Sequence, residues 1–207
     1  WYGITDLRAA LGLEPTEGPI LCALKAGKFT DAVILAYTKP GKSAHGFTAD
    51  VRAKWDKWRA ADLETRLQLP RDKAQQFVDA VSNTEAGHTL FVDWLKTELS
   101  TKGVSCNIQV IPRELSRLND AQAIFDAAAS ALKLALDDAS EKTIATYVSP
   151  GTPVMAYTWA LIARSHPQHN IAVIASSEPR LPPETIDLPK DLLMPVVPGH
   201  PTAKSTD

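Results

Sequence analysis

Apolar residues recur along this chain with two alternating periods. Between Asp31 and Thr38 the run Ala-Val-Ile-Leu-Ala-Tyr is continuous, the pattern of a strand buried on both faces of a parallel sheet. Shorter runs of the same kind lie at residues 106–112 (CNIQVIP), 143–148 and 170–177. Between them the apolar positions fall at helical spacing. Ile124, Phe125, Ala128, Ala131, Leu132 and Leu136 predict the clearest helix, with Asn119 as its cap and Gln122 three residues on. In EGPILCALKAG, Pro19 suits a first helical turn and Gly27 suits a helix C-cap. Residues 47–69 predict a charged amphipathic helix stopped by Pro70; RDKAQQFVDAV, TLFVDWLKTEL and the segment from Pro153 predict three more. Strands alternating with helices imply an α/β fold: a Rossmann-like, three-layer, mostly parallel sheet with flanking helices and right-handed crossovers.

Residues 191–207 interrupt this pattern. Pro195, Pro198, Gly199 and Pro201 cannot continue a helix or pair as a central strand, so an extended tail or linker is expected there after a domain over residues 1–190. The 207 residues suit one such domain, and no internal repeat divides them. No apolar run approaches the roughly 18 residues of a membrane span. A net charge of -2 argues against a surface that grips long nucleic acid through its phosphates, so a nucleotide ligand would be small and locally held. Cys22 and Cys106 stand in apolar surroundings without metal-type spacing; reduced core cysteines, and hence the cytoplasm, are expected.

In an open parallel sheet, ligands sit beyond the carboxyl ends of the strands, where helix N-termini present free N–H groups. The sequence TYVSPGTPVM places such a junction at Ser149-Pro150-Gly151-Thr152-Pro153. Thr152 is positioned to cap a helix starting at Pro153, Gly151 lets a ligand approach the backbone, and Ser149 adds a hydroxyl. Phosphate or ribose would fit this cradle. Tight-turn chemistry with a good cap accounts for the same residues without a ligand. Two further strands end in small polar or basic groups, at Thr38-Lys39 and at Ser176-Ser177, and convergence on one rim favours a site. Trp55 and Trp58 with Lys54, Lys57 and Arg59 fit a core or dimer contact better than a nucleic-acid clamp. The five histidines, His88 among them, lie in unrelated contexts without metal spacing. No GxGxxG, P-loop or nucleophile elbow is present, and no cofactor is called for.

Two segments resemble CARF (CRISPR-associated Rossmann fold) domains. EGPILCALKAGKFTDAVILAYT is similar to the helix, short turn and buried strand ending in threonine near the front of that family. YVSPGTPVMAYTWALI resembles its second signature, a strand ending in Ser/Thr-x-Gly-Thr before a helix with Met and Trp. A related pattern occurs in the sensor domain of sigma-54-dependent activators of RNA repair. The family begins with a strand and a polar loop ahead of the residues that match here.

The resemblance implies a homodimer that binds cyclic oligoadenylate, cyclic tetra- or hexa-adenylate, across its two-fold axis and regulates a fused C-terminal effector in type III CRISPR antiviral defence. Ser149, Pro150, Gly151, Thr152, Met155, Thr38, Lys39, Ser176 and Ser177 would then line the ligand. Some relatives cleave the ring without a metal, and the RNA-repair sensors recognise an RNA end; both remain alternatives.

Overall fold

The computed structural model describes residues 1–15, 17–41, 49–137, 143–178 and 180–188. The proline-rich tail at 191–207 lies outside them. The chain runs α1 (Ile4–Ala10), α2 (Pro19–Gly27), β1 (Asp31–Thr38), α3 (Ala49–Arg59), α4 (Leu63–Leu67), α5 (Arg71–Val81), α6 (Glu85–Thr101), β2 (Asn107–Glu114), α7 (Ala121–Asp137), β3 (Ile144–Tyr147), α8 (Pro153–Ser165), β4 (Ile171–Ala175) and β5 (Glu184–Thr185). The fold is mixed α/β. β1 pairs with β2 in parallel and β3 with β4 in parallel, whereas the short β5 joins β4 antiparallel.

Side-chain alternation along the strands builds a layer on each face. Val33, Leu35 and Tyr37 of β1 pack with Ile111, Ile144 and Ile171 against Ile124, Ala128 and Ala131 of α7 and Met155 and Ile162 of α8. Ala32 and Ile34 point the other way, with Ile108, Val110 and Tyr147, onto Ile20, Leu21 and Leu24 of α2 and Phe91, Leu95 and Leu99 of α6. Strands from both hydrogen-bonded groups therefore share both cores. A third cluster, centred on Leu7, Leu11, Phe77, Val78 and Val81, holds α1 and α5 together, and Trp58 packs its ring edge-on against Phe77 within it. That contact supports the structural role for Trp58.

Several boundaries differ from the sequence expectation. The helix expected over residues 47–69 is two helices, because the Asp62 side chain accepts from the Thr65 N–H at 2.8 Å and starts α4 afresh. α7 is capped by Asp120, whose carboxylate accepts from the Ala123 N–H at 3.2 Å, in place of Asn119. Gly27 is the last residue of α2; the left-handed position after it belongs to Lys28, at φ 50°. The short helix α1 and strand β5 carried too little periodicity to be expected. Among the described residues no helix is long and apolar enough to cross a membrane.

The first residues are anchored from both sides. The Tyr2 N–H donates to Leu35 O on β1 at 3.2 Å. The buried Asp6 carboxylate accepts from Gly3 N at 3.2 Å and Ile20 N at 2.9 Å, so one side chain serves the starts of α1 and α2.

Candidate functional site

The turn between β3 and α8 has the geometry its sequence predicts. Pro153 occupies the first helical turn, Thr152 is the N-cap, and its Oγ1 accepts from the Met155 N–H at 3.4 Å. The Met155 sulfur closes the motif by accepting from the Thr152 N–H, also at 3.4 Å. Gly151 has φ +102°, a backbone state that side chains disfavour. A Cβ there would stand 3.0 Å from the Met155 sulfur and 3.4 Å from Trp1 Cβ, so the turn lies closely over the core. Ser149 and Gly151 are exposed, Thr152 is half-buried and Pro150 is buried.

Hydrogen bonds tie this turn to its neighbours on the rim. Ser149 Oγ accepts from the Ser176 N–H at 2.6 Å and donates to Ser176 O at 3.1 Å, which clamps the ends of β3 and β4 together. The Tyr147 hydroxyl joins Ser176 Oγ at 2.9 Å; burial comes first among the effects that raise its pKa, partly offset by the bonds to Ser176 and Ser149. Thr152 Oγ1 donates to Leu118 O at 3.3 Å, in the loop after β2. That loop in turn reaches β1, since the Leu115 N–H donates to Thr38 O at 3.2 Å. Backbone and hydroxyl contacts thus connect the carboxyl ends of four strands.

The candidates separate into exposed and inward-facing groups. Ser149, Gly151, Lys39 and Ser177 are exposed on the rim and Ser176 is partly so. Met155 is buried in the α7–α8 core. Thr38 is 4% exposed, and its Oγ1 lies 3.0 Å from Nε2 of His88, which is itself 3% exposed. The other imidazole nitrogen, Nδ1, is hydrogen-bonded to the Tyr2 hydroxyl. Burial pushes the His88 pKa down to about 4, so the ring is neutral at physiological pH. Lys39 is held on the same side, its N–H donating to Asn83 O at 3.2 Å.

His88 and Tyr2 were missed from sequence. The available signal was position: His88, Phe91, Leu95 and Leu99 form one helical stripe, and a histidine within an apolar stripe needs buried partners. The Leu118 carbonyl left no signal, because any residue type supplies one.

An open cavity of about 440 Å³ lies elsewhere, lined by Lys96, Leu99, Ser100 and residues 103–108, at the amino-terminal end of β2. It is remote in the fold from the strand-end rim. Among the described residues no His, Cys, Asp and Glu side chains cluster as a metal site would require. Cys22 and Cys106 are free thiols, partly exposed rather than fully buried, and burial raises the pKa of each.

Taken together, fold and rim define an α/β protein with a polar, glycine-containing junction at the carboxyl ends of parallel strands. No family model matches the sequence, and no curated protein matches it. Among solved structures the chain is similar to Enterococcus italicus Csm6 bound to cyclic hexa-2'-fluoro-hexa-dAMP, at 16% identity and a TM-score of 0.47 over 80% of this chain. The chain spans 30% of that one.

Proposed function

We propose that this chain is a CARF-type sensor that binds cyclic oligoadenylate at the strand-end rim. The observation that carries the reading is the junction at residues 149–152. An exposed glycine at positive φ leads directly into a capped helix start, beside a hydroxyl pair and within the hydrogen-bonded rim that includes the Thr38-Lys39 tip. Pro153 has no N–H and those of Thr152 and Met155 serve the cap, so the Gly151 and Val154 N–H groups are the ones left to meet a phosphate oxygen, with no side chain intervening at Gly151. Lys39 supplies the single basic side chain among the candidates, suited to a phosphate as a point charge. The resemblance of YVSPGTPVMAYTWALI to the family signature supports the same ligand.

The ring is read by two copies of the chain, because a two-fold pocket matches a ring with an even number of identical nucleotides. Binding then changes the relative placement of the two copies, and a fused effector responds. Coupling of this sort is typically about 1–3 kcal/mol and reflects how much better the ring fits one arrangement than the other.

Titration calorimetry with cyclic tetra-adenylate and cyclic hexa-adenylate tests the ligand, and sedimentation tests the assembly. One ring per two chains is expected. Failure of both rings to bind, or a monomer holding one ring per chain, refutes the corresponding part. Linear oligoadenylate after prolonged incubation would assign the chain to ring cleavage.

A further inference from the structure

We propose that His88 is a positioning residue for the tip of β1, acting as a neutral imidazole that bridges the Tyr2 hydroxyl and the Thr38 hydroxyl. The role in ligand binding rests on the function proposed above; the relay itself does not. Tyr2 is a largely buried phenol, and among the described residues its hydroxyl is hydrogen-bonded to His88 Nδ1. The other ring nitrogen, Nε2, lies 3.0 Å from Oγ1 of the buried Thr38. A neutral imidazole carries one ring proton, so it donates to one of these hydroxyls and accepts from the other, and holds both.

The consequence reaches the rim through the backbone. The tip is fixed at three points, by His88 on Thr38 Oγ1, Leu115 N on Thr38 O, and Lys39 N on Asn83 O. Asn83 and His88 flank the start of the same helix, α6, so the relay joins that helix start to the residue pair Thr38-Lys39. A base or phosphate approaching Lys39 meets a tip that has already lost its freedom, which lowers the ordering cost of binding.

The test uses His88→Gln and His88→Leu with three measurements. Glutamine offers one acceptor and one donor and can reproduce the relay, whereas leucine fills the space and breaks it. Long-range 15N–1H spectra of the parent at pH 7 should show His88 with a single ring proton, on a nitrogen held in a hydrogen bond. Amide exchange at Lys39 should accelerate in His88→Leu and stay near the parent rate in His88→Gln. Affinity for whichever cyclic adenylate binds the parent should fall about tenfold in His88→Leu, because the freed tip must be ordered on binding, and recover in His88→Gln. A doubly protonated ring at pH 7, or a folded His88→Leu with parental exchange at Lys39, overturns the relay. If the parent binds neither ring, the ligand reading falls, and the ring-protonation and exchange measurements still decide the relay. If His88→Leu does not fold, the ring protonation and the exchange at Lys39 in His88→Gln decide it.

Discussion

Lowering the pH from 7.5 to 4.5 acts on the buried His88 and Asp6 with opposite effects on stability. Burial pushes His88 down to about 4 from its ordinary 6.5. Between these values the unfolded chain binds a proton that the folded chain refuses, so stability is lost as the pH falls through 6.5. For those two pKa values the loss at pH 4.5 is about 2–3 kcal/mol. Asp6 behaves the other way. Burial, opposed by the bonds from Ile20 and Gly3, pushes it up to about 6 from 3.8. Its folded form takes up a proton before the unfolded chain does, so stability rises as the pH falls through 6, by about 2 kcal/mol at pH 4.5. The two contributions nearly cancel in the parent. Replacing either residue exposes the other: His88→Gln, which keeps a donor and an acceptor, should be about 2 kcal/mol more stable at pH 4.5 than at 7.5 relative to the parent's nearly level pair, and Asp6→Asn should be about 2–3 kcal/mol less so. Urea unfolding followed by circular dichroism at both pH values gives the differences directly, with slopes that should not change. Carboxylates common to all three proteins drop out of the comparison. Parallel stability–pH profiles for the parent and both variants would refute the assignment of these groups as buried and oppositely shifted.

Three substitutions test the local geometry. Gly87→Ala should destabilise by at least about 2 kcal/mol in urea melts, because its Cβ would stand 2.0 Å from Val81 O and force apart the α5–α6 turn capped by Thr84. Gly151→Val should abolish ring binding by calorimetry and also lower stability by about 1–3 kcal/mol or more, since φ +102° strains any side chain; unchanged binding would move the site elsewhere. Thr152→Ala should cost about 0.5–2 kcal/mol through the lost cap, measured as a fall in melting temperature, together with the bond to Leu118 O.

The sequence by itself determined the element types and the β3–α8 junction. A continuous apolar run such as residues 32–37 can be satisfied only between two covering layers, and Pro153 after Thr152 can begin a helix with that residue as cap. These are local constraints, written within a few residues of where they act. Local preference also misled where two residues competed for one role. Asn119 and Asp120 are both good caps, and the choice fell to the position at which the α7 apolar stripe meets β1. Asp62 sat unremarked inside a long amphipathic pattern because a helix restart needs only one side chain and one turn.

The tertiary structure alone decided which candidates face the rim and which face inward. Thr38 and Met155 were candidates of the same standing as Ser149 and Ser177, yet Thr38 is turned onto His88, 50 residues away, and Met155 onto the core. The Ser149–Ser176 clamp spans 27 residues and the Thr152–Leu118 bond 34. Hydrogen bonds of this kind depend on atoms brought together by packing, and a hydroxyl, a carbonyl or an imidazole has many equivalent partners along a chain. Periodicity records how each segment must be buried; it holds no record of which polar atom will lie opposite another once the layers close.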